Sequence, residues 1–205
     1  MRSAVVSDGR FAGYAVHILE NIETGKIAAS ALEAPSGLQA DGNRVEECDV
    51  EPALPKGVEA PPTEPMRPEE VLALGGFISS RTIVQPMHCD AAGELLAQGF
   101  VARLSDAAAH TWETAGVGIA RLRELGYGRV ALEMKLTHHR PARAGEALLI
   151  HSRAIRSGGK ALQLHHEITR LADGAPVATA QVVAVILDLA TRKSVNMPVA
   201  AQTND

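Results

Sequence analysis

The stretch 86-PMHCDAAGELLAQGF-100 decides the fold, because it joins two segments of different character. The run before it, 77-FISSRTIVQ-85, looks extended. The run after it, 97-AQGFVARLSDAAAHTWETAG-116, has apolar residues three or four positions apart, which is the spacing of one helix face. Between the two lies a lone carboxylate, Asp90, in a turn of small residues. The stretch therefore predicts a strand, a turn and a long helix.

The predicted helix ends at Gly116, and a shorter one, 117-VGIARLRELG-126, follows it. The first strand of the domain is predicted over 81-RTIVQPMH-88, and Pro86 ends this strand. The residues that would share the apolar face of the long helix are Phe100, Val101, Leu104, Ala107, Ala108, Thr111 and Trp112. Four further strands are predicted, at 129-RVALEMKLTHHR-140, 146-EALLIHSRAIR-156, 160-KALQLHHEITRL-171 and 177-VATAQVVAVILDL-189. This order predicts an α+β domain in which an antiparallel meander covers the long helix.

The part of the chain before Phe77 has a different composition. Residues 34–76 contain many prolines and acids and predict a linker that ends in a short helix, 68-PEEVLALGG-76. Residues 8-DGRFAGYAVHILENIETGK-26 match 173-DGAPVATAQVVAVILDLATRK-193 in part, with two gapped positions. We therefore expect a partial second repeat at 1–33, the linker at 34–76 and the main domain at 77–200.

Composition excludes several function classes. The net charge of −4 and the 3% aromatic content make nucleic-acid binding an unfavoured function. No apolar run approaches the ~20 residues that span a bilayer, and 1-MRSAVVSDGR-10 lacks the apolar stretch of a signal peptide. Cys48 and Cys89 do not form a metal-spaced set, and free thiols are favoured over a disulfide. We expect a cytoplasmic protein without a membrane partner.

Asp90 has two interpretations. It can cap the helix that follows, because aspartate is preferred at helix N-termini. It can also be a reaction centre, because the first amides of a helix are unpaired and carry partial positive charge. A thioester carbonyl placed there would be polarised, and the carboxylate could attack it or activate water. This chemistry needs neither a metal nor a serine.

Residues 77–197 resemble the hot-dog-fold thioesterases of the 4-hydroxybenzoyl-CoA thioesterase type and their acyl-CoA relatives. The resemblance rests on 88-HCDAAG-93, on 103-RLSDAAAHTW-112 at the right distance after it, and on 138-HHRPARAGE-146. It implies a hot-dog fold, in which an antiparallel sheet wraps around a long central helix. It also implies an enzyme that hydrolyses an acyl-CoA or acyl-carrier thioester to free acid and thiol.

The resemblance also implies site residues. Asp90 falls on the family's catalytic carboxylate, as nucleophile or general base, and Ala97 falls near the helix-start amide that polarises the thioester carbonyl. Two positions depart from the family, since Glu94 stands where relatives have histidine and Leu96 where they have asparagine.

Four further residues are candidates for substrate binding, namely Gly93, Glu94, Arg140 and Arg143. The two arginines could meet the phosphates of coenzyme A, although exposed turn charges are the ordinary case. The histidine pairs 138–139 and 165–166 lie on predicted strands, where alternate side chains face opposite ways, so core or solvated histidines are favoured over a metal site. Cys89 is expected to be an inert thiol.

Three functions follow in order of preference. The first is an acyl thioesterase that needs no metal or cofactor, since coenzyme A is part of its substrate. The resemblance implies that a second copy completes the acyl cleft, so a homodimer or pseudo-dimer is expected. The second is a non-catalytic acyl-CoA-binding or assembly module, favoured by Glu94-Leu95-Leu96 and the incomplete repeat. A hot-dog dehydratase ranks third, because no paired Asp/His signature is seen.

Overall fold

The chain forms two compact units, Met1–Pro61 and Pro62–Asp205, which we call the N-terminal and C-terminal units. The structure is a computed structural model, and it describes residues 1–35, 43–157 and 159–197, with the side chains of residues 156 and 157 left out. None of the helices in these described ranges is both long and apolar enough to cross a membrane.

The N-terminal unit is built on a four-stranded sheet. Its strands are β1 (Arg2–Val6), β2 (Ala15–Glu20), β3 (Ile27–Glu33) and β4 (Arg44–Val45), in the order β3-β2-β1-β4. Neighbouring strands are antiparallel except for β1 and β4, which are parallel. A short helix α1 (Glu47–Val50) and a 3₁₀ turn (Glu51–Ala53) follow the sheet.

The second half of this unit differs from the linker predicted over 34–76. Val50, Ala53 and Leu54 are buried in one core with Val16 and Ile18 of β2. The amide of Glu47 donates to Asp8 Oδ1 at 2.7 Å, and its carboxylate accepts from the amide of Phe11 at 2.9 Å. Residues 43–61 therefore pack as part of a small folded unit. Enough apolar residues occur between the prolines to bury one face.

One local geometry is shared by the two segments that the sequence comparison aligned. After β2, Asn21 Oδ1 accepts from the amides of Glu23 and Thr24 at 2.9 and 3.0 Å. At the end of the aligned segment, Asp188 Oδ1 accepts from the amides of Ala190 and Thr191 at 2.9 and 2.8 Å. The two turns thus use the same hydrogen bonds. That the first 33 residues are the end of a second copy stays a prediction.

The C-terminal unit contains the main sheet. Its strands are β5 (Phe77–Ile83), β6 (Tyr127–His138), β7 (Ala147–Ser157), β8 (Ala161–Arg170), β9 (Pro176–Asp188) and β10 (Ser194–Val195). The order is β5-β7-β8-β9, and β9 also pairs with both β6 and the short β10. All neighbouring strands are antiparallel, as predicted. Strands β7, β8 and β9 form the predicted meander, but β6, which was expected to begin it, pairs with β9 and not with β7.

The long helix α3 (Ala97–Thr114) packs on one face of this sheet, as predicted. Phe100, Leu104 and Ala107 are buried against Ile150 of β7 and Ile168 of β8. Farther along, Trp112 shares a second cluster with Leu162 and Leu164 of β8 and with Leu122 of helix α4 (Ile119–Glu124). A single apolar stripe on α3 thus spans the inner face of the sheet, and this arrangement is the hot-dog fold.

The prediction of a strand over 81–88 is wrong at its C-terminal end. Strand β5 ends at Ile83, and Pro86–His88 form a 3₁₀ turn. Pro86 occupies the first position of that turn, where a missing amide hydrogen costs no hydrogen bond. His88 therefore lies in a turn and not on a strand.

A short segment that we call the strap, residues 62–67, precedes helix α2 (Pro68–Ala73) and lies on the outer face of the sheet. The amide of Met66 donates to Glu167 Oε1 at 3.1 Å, and that of Thr63 donates to Thr137 Oγ1 at 3.2 Å. The Thr63 hydroxyl also reaches Gln181 Oε1 at 3.3 Å. The end of the predicted linker is therefore bound to three strands.

Glu167 is 1% exposed and anchors this outer face. Besides the Met66 amide, its carboxylate accepts from His165 Nε2 at 2.8 Å and from the Thr179 hydroxyl at 2.7 Å. Because that hydroxyl hydrogen points to Glu167, the 2.8 Å contact between His139 Nε2 and Thr179 Oγ1 is a donation by the histidine. Each donor in this buried network has an acceptor, as buried polar groups require.

His166 faces the other way, into the core beneath α3, and ends a chain of buried hydroxyls. Ser79 donates to the carbonyl of Ile150 at 3.1 Å, so it accepts from Ser152, 2.6 Å away. Ser152 in turn accepts from His166 Nδ1–H at 2.6 Å. Burial lowers the pKa of His166 from 6.5 to about 4.

This burial predicts acid lability. Below pH 6.5 the unfolded chain binds a proton at His166 that the folded chain takes up only near pH 4, so stability falls across that window. We expect His166 to lower the free energy of unfolding by about 1.4 kcal/mol for each unit by which the pH falls within this window. The free energy of unfolding is measured in urea at pH 7, 6 and 5. His166→Gln should reduce its dependence on pH, whereas His110→Gln, on the exposed face of α3, should leave that dependence unchanged. Equal slopes in all three proteins would contradict the assignment.

Candidate functional site

The site predicted around Asp90 is a tight turn between the 3₁₀ turn at Pro86–His88 and the start of α3. The amide of Asp90 donates to the carbonyl of Glu94 at 2.9 Å, and the amide of Gly93 donates to the carbonyl of Asp90 at 3.0 Å. Cys89 pairs with Leu95 in an isolated antiparallel bridge, so the loop closes like a small hairpin. Gly93 has a φ of +79°, which explains the need for glycine there.

The carboxylate of Asp90 is oriented by its own turn. Its Oδ1 accepts from the amides of Ala92 and Glu94, both at 2.9 Å. Asp90 Oδ2 has no donor within the described part of the chain, and the residue is exposed. The N-cap of α3 is Leu96, without a side-chain cap, so the interpretation of Asp90 as the helix cap is wrong. One carboxylate oxygen is therefore held in place and the other is open to react.

The start of α3 offers unpaired amides. Gly99 and Phe100 both donate to the carbonyl of Leu96, at 2.8 and 3.3 Å. The amides of Ala97 and Gln98 come before these bonds and find no backbone acceptor in the described ranges. Ala97 is exposed, and its amide belongs to the positive end of the helix.

A second segment, residues 142–144, holds the other flank of the turn. The amide of Leu95 donates to the carbonyl of Ala142 at 2.8 Å, and the amide of Ala144 donates to that of Gly93 at 3.0 Å. Glu94 and Arg143 form an isolated bridge, and their side chains make an ion pair at 3.0 Å. The structure thus brings together Gly93, Glu94 and Arg143.

Arg140 is not part of this group. It is exposed just beyond β6, and its amide donates to the carbonyl of Val177 at 3.2 Å. No hydrogen bond or ion pair joins it to the Asp90 turn in the described residues. Its expected role in binding substrate stays a prediction.

The histidines of the two pairs lie in hydrogen-bonded or ring contacts within the C-terminal unit. His165, His166 and His139 are held by the hydrogen bonds described above, and His138 packs edge-on against Phe100 with the ring centroids 4.8 Å apart. No three His, Cys, Asp or Glu side chains in the described ranges lie close enough together to hold a metal ion. Cys89 is half-buried, and both cysteines are free thiols.

Sequence reasoning missed Arg103, which is 5% exposed. Its Nη1 donates to the carbonyl of Gly99 at 2.8 Å and lies 3.5 Å from His88 Nδ1. Its Nη2 donates to the carbonyl of Ile83 at 2.9 Å. A signal was present, because Arg103 stands within the apolar stripe of α3, between Phe100 and Ala107, where a charged residue needs an internal partner.

The groups in this turn are of the kind that acyl transfer to water would use. A carboxylate with one free oxygen stands in a turn that leads directly into the open amide end of a long helix. Such amides stabilise the negative charge that develops on a carbonyl oxygen under attack. The charge of the Glu94 side chain is balanced by Arg143, whereas Asp90 has no ion-pair partner among the described residues.

The comparisons with known proteins agree with this geometry. A family described as the thioesterase-like superfamily matches residues 84–204, well over half of the chain. No curated protein matches it.

Solved structures with the same fold include three from bacteria. A 1,4-dihydroxy-2-naphthoyl-CoA thioesterase from Synechocystis is 19% identical, with a TM-score of 0.55 over 62% of this chain and 93% of its own. An acyl-ACP thioesterase from Bacteroides thetaiotaomicron is 20% identical, with a TM-score of 0.56 over 64% and 52%. A hypothetical protein from Staphylococcus aureus, solved in complex with CoA, is 19% identical, with a TM-score of 0.54 over 58% and 75%.

These structures share the hot-dog arrangement of sheet and helix, which confirms the predicted fold class. The family match covers the Asp90 turn, the long helix and strands β6 to β10. The chain therefore belongs to the thioesterase-like superfamily, a family of enzymes that hydrolyse thioesters.

Proposed function

We propose that this protein hydrolyses an acyl thioester of coenzyme A or of an acyl carrier, with Asp90 as the reacting carboxylate. One observation carries the proposal. The free oxygen of Asp90 and the unpaired amide of Ala97 belong to one continuous turn that opens the central helix. Both residues are exposed, so a substrate can reach them.

The chemistry follows from these groups. The thioester oxygen accepts from the amide of Ala97, which increases the positive charge on the carbonyl carbon. Asp90 either takes a proton from an attacking water or attacks the carbon itself, forming an anhydride that water then hydrolyses. In both routes the C–S bond breaks and the thiolate leaves, and the proton from water restores it to a thiol. The products are a free acid and a thiol.

The comparisons favour coenzyme A as the group that carries the acyl chain in the substrate. One of the similar structures acts on an acyl-CoA by its name, and another was solved with CoA bound. Arg143 is beside the turn, with 62% of its side chain exposed, and Arg140 is exposed nearby in sequence. Guanidinium groups suit phosphate, so we assign these two arginines to the nucleotide end of the substrate.

We further propose a homodimer in the cytoplasm. In the single chain the reacting groups have little cover, and several apolar side chains near them in sequence are exposed, among them Met87 at 80%, Leu96 at 38% and Val101 at 43%. A second copy laid over this area would bury those side chains and exclude water from the acyl chain. The two free thiols are consistent with a reducing compartment.

A non-catalytic acyl-binding module is the second candidate. The observation that favours it is the ion pair between Glu94 and Arg143, which takes up the side chain that stands in place of the family's histidine. Leu96 likewise offers no polar atom to hold a water. A protein of this kind would bind acyl-CoA without releasing thiol.

The substrate prediction is tested by thiol release from a panel of short, long and aromatic acyl-CoAs. We expect turnover with at least one class, followed by free thiol in a colorimetric assay. Tight binding of an acyl-CoA by calorimetry with no release of thiol would replace the enzyme with the binding module.

Asp90→Asn tests the carboxylate. The amide oxygen of asparagine can still accept from Ala92 and Glu94, so the turn should keep its shape. We expect kcat to fall at least about 100-fold, the usual effect of losing a general base or nucleophile. Glu124→Gln, at an exposed position of helix α4, is the matched control and should keep the wild-type rate. A fully active Asp90→Asn would end the catalytic assignment.

Ala97→Pro tests the helix-start amide by deleting its hydrogen. Proline is favoured at the first position of a helix, and Leu96 before it has φ −72° and ψ 157°, which a following proline allows. We therefore expect a folded protein whose kcat is about 100- to 1000-fold lower. Ala97→Gly keeps the amide hydrogen and should stay within a few-fold of wild type. Equal rates for the two variants would exclude this amide from catalysis.

A further inference from the structure

Arg103 connects three segments that meet beside the proposed reaction turn. Its guanidinium donates to the carbonyl of Gly99 in the first turn of α3 and to that of Ile83 at the end of β5. It also contacts the ring of His88, the last residue before the Cys89–Leu95 bridge. The carbonyl of His88 accepts from the amide of Leu96 at 3.0 Å, and this bond closes the base of the turn.

These contacts are an unusual use of a buried charge. Arg103 makes no ion pair with a carboxylate in the described ranges, and burial lowers its pKa. Taking a guanidinium out of water is costly unless its donors are satisfied. Here two backbone carbonyls and one ring nitrogen accept from the two Nη groups, whereas the buried Nε has no acceptor in the described residues. An apolar residue would fill the same space between Phe100 and Ala107 at lower cost, so stability of the helix does not account for the arginine.

Gly99 provides a second, independent observation. It lies one helical turn before Arg103 on the same face of α3. A β-carbon at this position would stand 3.1 Å from His88 Cβ and 2.4 Å from Leu95 Cδ1. The helix thus has no side chain where the two ends of the turn approach it. Gly99 and Arg103 therefore lie on the face of α3 that packs against His88 and Leu95, the two ends of the Asp90 turn.

We propose that Arg103 is a positioning residue for the thioesterase reaction, which orients Asp90 by holding His88 and Ile83 against the first turn of α3. The inference rests on the proposed function and deepens it. Arg103 does not touch substrate. It fixes the side of the turn that residues 142–144 leave unheld, and so sets the place of the carboxylate relative to the amide of Ala97.

The geometry requires arginine and not simply a cation. Two donors of one planar fork reach two carbonyls that belong to different segments, the end of β5 and the first turn of α3. A lysine ammonium is a single point and can hold one of the two carbonyls well. Arg103→Lys should therefore keep the fold and lose part of the positioning.

The kinetic test compares Arg103→Lys and Arg103→Met with Arg121→Met, whose guanidinium is exposed and pairs with Glu124. We expect kcat to fall about 10- to 100-fold in Arg103→Met, as a misplacement of about 1 Å can cause. Arg103→Lys should be intermediate, and KM should stay within about 3-fold, because substrate contacts remain. The Arg121 variant should match wild type. A change in KM alone, or no change, would overturn the proposal.

Amide hydrogen exchange separates this inference from the proposed function, because it needs no activity. In both Arg103 variants we expect the amides of Glu94 and Leu96 to exchange at least about 10-fold faster. Those of Leu164 and Ile168, at the centre of β8, should keep their wild-type rates. If wild type cleaves no thioester, the proposed function fails, and the exchange rates still decide whether Arg103 holds the turn.

The use of two variants keeps the test possible if one of them does not fold. If Arg103→Met does not fold, Arg103→Lys keeps the charge and the aliphatic stem and gives the same two measurements. Wild-type exchange at Glu94 and Leu96 in a folded variant would overturn the inference, whatever the activity. Faster exchange there together with a lower kcat and a constant KM would support it.

Discussion

The packing of one stripe of α3 against the inner face of the antiparallel sheet is the constraint on which this protein depends. Phe100, Leu104 and Ala107 leave water together with Ile150 and Ile168, and burial of this kind is the main favourable term in folding. The stripe also sets the rotation of the helix about its axis. Because the rotation is set, the helix start and its unpaired amides point to the same place in every folded molecule. The chemistry is a consequence of that packing.

The turn that leads into the helix is held from two sides by different means. Residues 142–144 hold one flank through backbone hydrogen bonds and the ion pair between Glu94 and Arg143. Arg103 holds the other through backbone carbonyls. The proposed reaction would need this support, since a flexible turn would lose much of the advantage of placing the acid beside the amides. The departure from the family at Glu94 thus has a structural use here, because the glutamate joins the turn to its neighbour.

The sheet itself is buried on both faces at β8, which is uncommon for an antiparallel strand. On the inner side His166 ends a chain of hydroxyls, and on the outer side Glu167 gathers donors from His165, Thr179 and the strap. Glu167 accepts from each of these donors, whereas Nε2 of His166 is buried without a hydrogen-bond partner in the described residues. The two networks hold three histidines of the two pairs, His139, His165 and His166, in structural contacts. These polar groups favour a single arrangement of the core, and they make its stability fall at acid pH.

The sequence by itself determined the α+β class, the long helix, the consecutive strands β7, β8 and β9 and the turn containing Asp90, because periodicity and turn residues are local properties that neighbours along the chain encode. It also determined the start of α3 at Ala97. Only the tertiary structure decided that β5 stops at Ile83, that residues 43–61 fold, and that Arg103 is buried. Those outcomes depend on which distant segments come into contact, and a pattern read along one strand or helix carries no record of its partners across the fold.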